Sequence, residues 1–81
     1  MNTLTIERID ATASDVDFTD DLIIVYLADG RIINVPLEWY PRLAKATKKQ
    51  LKNWRFIGGG IGIHWKDIDE DISVEGLMKY N

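Results

Sequence analysis

Two apolar, β-branched runs separated by Asp-Gly constrain this chain more than any other feature. Leu22-Ile23-Ile24-Val25-Tyr26-Leu27 is apolar at every position, which suits a central strand covered on both faces. Ala28-Asp29-Gly30-Arg31 follows, and then Ile32-Ile33-Asn34-Val35. Asp-Gly between such runs signals a β-hairpin, and the spacing predicts a type I′ turn with positive φ at both central residues. Pro36 ends the return strand, because proline has no N–H to give to a ladder. At 81 residues, the chain around this hairpin is one domain, residues 1–81. A domain of that size has a net stability on the order of 5 kcal/mol.

The rest of the chain reads as short elements. Leu4 and Ile6 alternate with polar neighbours, as do Ile9, Ala11 and Ala13, but the phase flips between the two sets. A β-bulge near Glu7-Arg8 restores a common face. Asp15 to Asp21 is polar and reads as a turn. Leu37 to Ala46 opens a short helix with Pro41 near its first position. Thr47-Lys48-Lys49-Gln50 is a capping-box pattern that starts a second helix, with Leu51 and Trp54 turned inward. Arg55-Phe56-Ile57 and the alternation of Ile61, Ile63 and Trp65 give two more strands, joined through Gly58-Gly59-Gly60. An acidic loop, 67–71, leads to Ser73 as N-cap of a last helix with a Val74, Leu77, Met78 stripe. The predicted order is β-β-β-α-α-β-β-α: an α+β fold, with a mostly antiparallel sheet and two or three short helices.

Composition excludes several classes. There is no cysteine, so no disulfide framework or thiolate metal site is available. The longest apolar runs are too short to span a bilayer. Residues 1–5 lack the basic and apolar regions of a signal peptide, so the expected location is cytoplasmic. The net charge is −3, but it is striped. Residues 7–21 carry Glu7, Asp10, Asp15, Asp17, Asp20 and Asp21 against Arg8, whereas residues 42–55 carry Arg42, Lys45, Lys48, Lys49, Lys52 and Arg55 with no acid. The basic stripe has two readings: a solvated helix face, or a surface that steers an anionic partner.

Chemistry concentrates in Gly62 to Leu77, which holds the only histidine, Trp65, and Asp67, Asp69, Glu70, Asp71 and Glu75. The Asp67-x-Asp69-x-Asp71 spacing imitates the start of an EF-hand loop. The required turn glycine falls on Ile72 and the bidentate glutamate on Met78, so an EF-hand is rejected. His64 stands three residues from Asp67, and a carboxylate-oriented histidine is the heart of many acid–base sites. Yet no cysteine is present, and Ser73 is accounted for as a cap. Gly58 to Gly62 fits neither a dinucleotide fingerprint nor a Walker loop and reads as a hairpin turn. No cofactor, catalytic or metal residue is assigned.

Three blocks together resemble a bacterial family known as domain of unknown function 2442. They are Leu27-Ala28-Asp29-Gly30-Arg31, Val35-Pro36-Leu37-Glu38-Trp39-Tyr40-Pro41-Arg42-Leu43, and Gly62-Ile63-His64-Trp65 onward to Leu77. The resemblance covers roughly residues 5–78, with Lys66 standing where the family usually has proline. It implies a small α+β module without an established activity or accepted catalytic residues. Relatives are often encoded beside small toxin-like proteins, which implies an antitoxin-like or partner-binding role.

The expectation is a non-enzymatic interaction module that binds another small protein or itself. Tryptophan and tyrosine are frequent interface anchors, so Trp39, Tyr40 and Trp65 are the candidates, with His64, Asp69 and Asp71 as polar rim. The competing reading for Trp39 and Trp65 is core packing. An alternative function is nucleic-acid regulation through Arg42, Lys45, Lys48, Lys49 and Lys52. A third is an enzyme or cation-dependent site around His64 and residues 67–71.

Overall fold

The computed structural model describes residues 12–78. The architecture is α+β with the expected order, built on two three-stranded antiparallel sheets. In the first, β1 (Ala13–Phe18), β2 (Leu22–Leu27) and β3 (Ile32–Pro36) lie in sequence order. A 3-10 turn at Leu37–Trp39 leads to α1 (Pro41–Ala44) and α2 (Lys48–Lys52). The second sheet is β4 (Trp54–Ile57), β5 (Gly62–Trp65) and β6 (Glu70–Ser73), followed by α3 (Val74–Met78). No helix among the described residues is long and apolar enough to cross a membrane.

One core joins the layers. Ile23, Val25 and Leu27 of β2, Ile33 and Val35 of β3, Ile63 and Trp65 of β5, and Ile72 of β6 are buried together. Leu43 of α1, Leu51 of α2, and Val74 and Leu77 of α3 close it. The period-two alternation of the strands produces this: every second residue turns to the same side. Helix starts follow the sequence as well. Pro41 occupies the opening of α1. The Thr47 side chain accepts from the Gln50 N–H while the Gln50 side chain accepts from the Thr47 N–H, a complete capping box. The Ser73 hydroxyl accepts from the Gly76 N–H and caps α3.

Five expectations need correction or fall outside the structure. The strands at Leu4–Ile6 and Ile9–Ala13, and the bulge near Glu7-Arg8, lie outside the described residues except for Ala13. Asp15 to Phe18 is strand, not turn. A bulge at Ser14 shifts the register between Ala13 and Asp15, which puts Ala13 and Val16 on the core side although three positions separate them. The turn is confined to Thr19–Leu22, where the Thr19 hydroxyl accepts from the N–H groups of Asp21 and Leu22.

The β2–β3 turn is not type I′. Gly30 has positive φ (95°), Asp29 does not, and Leu27 N–H bonds to Arg31 C=O at 2.8 Å across a three-residue loop. That is a type I turn followed by a glycine bulge, the next most common hairpin closure. Trp54 belongs to β4 rather than to the preceding helix, because Asn53 already ends α2. Finally, the acidic segment is only half loop. Residues 66–69 turn, and Glu70 begins a strand paired with β5.

The two sheets meet at the glycine turn between β4 and β5. Ala13 N–H donates to Gly60 C=O at 2.8 Å, and Val74 N–H donates to Ile61 C=O at 3.0 Å. Gly60 has φ 113°, and a Cβ there would sit 2.5 Å from the Ala13 carbonyl oxygen. Only glycine permits that approach.

Candidate functional site

The second sheet positions the polar residues. The Val74–Ile61 bond fixes the alternation of the β5–β6 ladder. Gly62–Ser73 and His64–Asp71 are the pairs without ladder bonds, the pairs whose side chains stand closer. His64 Nδ1 accordingly donates to Asp71 Oδ1. The carboxylate can only accept, so the proton of this bond is on Nδ1. The His64 side chain is 21% exposed and that of Asp71 65%. On the other side of His64, Arg55 is its register partner on β4. Arg55, His64 and Asp71 therefore form one row across the outer face of the sheet. Ile57, Gly62 and Ser73 form the next row.

Asp67 does not orient His64, as its sequence position suggested. It lies in the turn, where its Oδ2 accepts from Asn53 Nδ2 at 3.0 Å. Register, not sequence distance, selects the partner of a strand residue, and it selects Asp71. Asp69 is in the same turn with φ 52°, and its backbone carbonyl accepts from Arg42 Nη1 at 3.0 Å. The acidic residues are thus spread over separate tasks. Among the described residues no group of three histidine, aspartate or glutamate side chains could hold a metal ion.

The aromatic candidates separate. Trp65 is completely buried, its indole N–H donates to the Leu51 carbonyl at 3.0 Å, and Phe18 meets it edge-on at 6.3 Å. It ties β5 to α2 and β1, so it is a core residue and not an interface anchor. Tyr40 is half-buried against the core. Trp39, in the 3-10 turn, is 47% exposed and remains a surface candidate. Arg42, Lys45, Lys48, Lys49 and Lys52 are all exposed, distributed over two short helices and the link between them. Arg55 joins this basic segment to the His64 row. Sequence reasoning counted it among the basic residues but not as a neighbour of His64. The signal was incomplete: centring the turn on Gly58-Gly59-Gly60 sets residue 55 opposite residue 63, and only a four-residue turn, 58–61, sets it opposite residue 64.

Chemically, the row offers a cation, an oriented imidazole and a carboxylate on an open surface. Ser73, the hydroxyl on the same face, is engaged in capping α3.

The model of the family described as protein of unknown function (DUF2442) matches residues 13–81. A crystal structure of a protein of unknown function from Rhodospirillum rubrum has 31% identity and a TM-score of 0.73, over 85% of this chain and 86% of that one. A solution structure of an uncharacterised protein from Chromobacterium violaceum shares the fold, with 24% identity and a TM-score of 0.71 over 84% of this chain. The chain spans 64% of that protein. No curated protein matches the chain.

Proposed function

This chain belongs to the family of protein of unknown function DUF2442, and from that premise we propose that it is a non-enzymatic module that binds a small protein partner, in an antitoxin-like manner. The observation that carries the reading is the outer face of the second sheet. Arg55, His64 and Asp71 present both signs of charge and an oriented ring on one open surface. Such a row suits recognition: it offers direction and charge pattern. The exposed Trp39 supplies an anchor of the type that dominates interface energies.

The test is co-purification from the host with three tagged proteins: the native chain, Trp39→Ala, and the double variant His64→Ala with Asp71→Ala. One small stoichiometric partner retained by the native chain and lost by either variant, each still folded, is the expected result. An identical set of co-eluting proteins for all three rules the surface out.

A second reading, nucleic-acid binding, is favoured by one observation. Among the described residues none of Arg42, Lys45, Lys48, Lys49 and Lys52 is in a salt bridge. It predicts affinity for DNA or RNA that falls steeply with salt as counterions are released. Binding that is undetectable at low salt removes it.

A further inference from the structure

Among the described residues the first strands of the two sheets treat their outer edges differently. In β1, the Thr19–Leu22 backbone bond sets the ladder phase, so Val16 and Phe18 turn their N–H groups away from β2. Both are taken up by neighbouring carboxylates. Val16 N–H donates to Asp15 Oδ1 and Phe18 N–H to Asp17 Oδ1, each at 2.8 Å. On the far edge, the Leu27–Arg31 bond sets the phase of β3, which directs Pro36 outward, where it has no N–H to offer, together with Ile32 and Asn34, whose N–H groups are unbonded among the described residues. α3 packs against β3, β5 and β6.

β4 has no such protection. The alternation that pairs Ile63 with Ile72 turns Gly62 and His64 toward β4, so Ile57 and Arg55 bond inward to β5. Trp54 and Phe56 therefore direct their N–H and C=O groups away from the sheet. Among the described residues no side chain or backbone group is hydrogen-bonded to them. An edge of this kind is a template for strand addition.

The side chains around the edge define the visitor. Trp54 and Phe56 lie on the core side with ring centroids 4.9 Å apart, half-buried. Arg55 and Ile57 lie on the outer face, Ile57 at 37% exposure. No acidic residue occurs between Glu38 and Asp67, whereas Arg55 on the edge strand and Lys48, Lys49 and Lys52 on the helix that precedes it are exposed. A strand laid along β4 meets the aromatic pair with alternate residues and Arg55 with the residue between them. We infer that β4 docks an extended partner segment that alternates apolar and acidic residues, adding a fourth strand to the second sheet. This rests on the protein-partner reading and gives that partner's chemistry.

The experiment is amide hydrogen exchange by NMR on the full chain. Two acetylated ten-residue peptides serve as probes, one alternating valine with glutamate and one alternating valine with lysine. The expected result is protection of the Trp54 and Phe56 amides by the glutamate peptide alone. Arg55→Glu, an exposed substitution, weakens that binding by about tenfold or more and shifts preference toward the lysine peptide, while Arg55→Lys retains it. Unchanged exchange at Trp54 and Phe56 in millimolar glutamate peptide, or equal protection by both peptides, overturns the proposal. Protection that grows with protein concentration in the absence of peptide gives the edge to a second copy and overturns it too. An excess of the glutamate peptide added to the co-purification separates the two readings, because it displaces a partner held at β4. If the partner is retained through Trp39 and the His64 row, the edge proposal falls and the interaction reading stands.

Discussion

The first and second sheets have the same strand order and the same antiparallel sense, yet they are built for different ends. The first is organised around β2, apolar at every position and paired along its whole length. On β1 its outward N–H groups are taken up by Asp15 and Asp17, and on β3 Pro36 offers none, although those of Ile32 and Asn34 are unbonded among the described residues. The second has strands of four residues, carries the Arg55–His64–Asp71 row on its open face, and leaves β4 uncapped. Two sheets in one small domain thus divide labour. One supplies burial and has its β1 edge insulated by carboxylates, and the other spends its surface on recognisable polarity.

The largest effect that would sharpen this comparison lies inside the second sheet. Trp65→Ala removes a fully buried ring, its bond to Leu51 and its contact with Phe18. A loss of about 3–5 kcal/mol is expected, close to the whole stability of the domain, with urea unfolding as the readout. Trp39→Ala, at an exposed site, is expected to cost less than about 1 kcal/mol. Equal losses for the two would erase the distinction between core and surface tryptophan.

Next comes the join. Gly60→Ala meets the Ala13 carbonyl and a positive φ together, whereas Gly30→Ala in the β2–β3 turn meets a positive φ with nothing within 4 Å. Thermal melts should show Gly60→Ala destabilised by about 2 kcal/mol or more and Gly30→Ala by about 1 kcal/mol. The reverse order would move the weak point from the junction to the hairpin.

A smaller effect tests the guarded edge. Asp15→Ala with Asp17→Ala should leave stability within about 0.5 kcal/mol but open β1 to pairing. Sedimentation at rising concentration should then reveal association absent from the native chain. A strictly unchanged profile would mean that the carboxylates do not insulate the edge.

The smallest concerns the hairpin. The Arg31 backbone N–H holds the Asp29 carboxyl below its ordinary range; desolvation opposes it, and the Arg31 guanidinium adds to the lowering. A depressed folded value means stability present above the unfolded value of 3.8 and lost as pH falls through the folded one. An NMR titration should find Asp29 protonating below its ordinary value of 3.8, and a midpoint at or above that value would contradict the contact.

Much of this was legible in the residues. The apolar run, Asp29-Gly30, Pro41 and the Thr47–Gln50 box each mark an element through local chemistry, and those elements form. Strands that hide among polar residues were not legible. Asp15 and Asp17 look like turn residues because they bond to backbone, and here they do so from within a strand. Glu70 and Asp71 look like loop because a solvent-facing edge strand tolerates charge. The site suffered likewise. His64 was visible as the only histidine, but its partner depends on a register that the spacing of acids does not reveal. Trp65, taken as a surface anchor, is drawn inside by the same alternation that turns His64 out.

The glycine turn at 58–60 has a kinetic consequence. Its bond from Ala13 to Gly60 bridges segments far apart in the chain, so it forms only after a long loop has closed at an entropic cost. Each hairpin assembles from near neighbours and does so quickly, and the bridging bond comes late. Contacts made late govern how fast a protein opens rather than how fast it forms. Weakening this turn should therefore leave the refolding arm of a chevron nearly unmoved and steepen the loss on the unfolding arm. The lifetime of the native state is then expected to respond more to this turn than to the apolar strand that dominates the sequence.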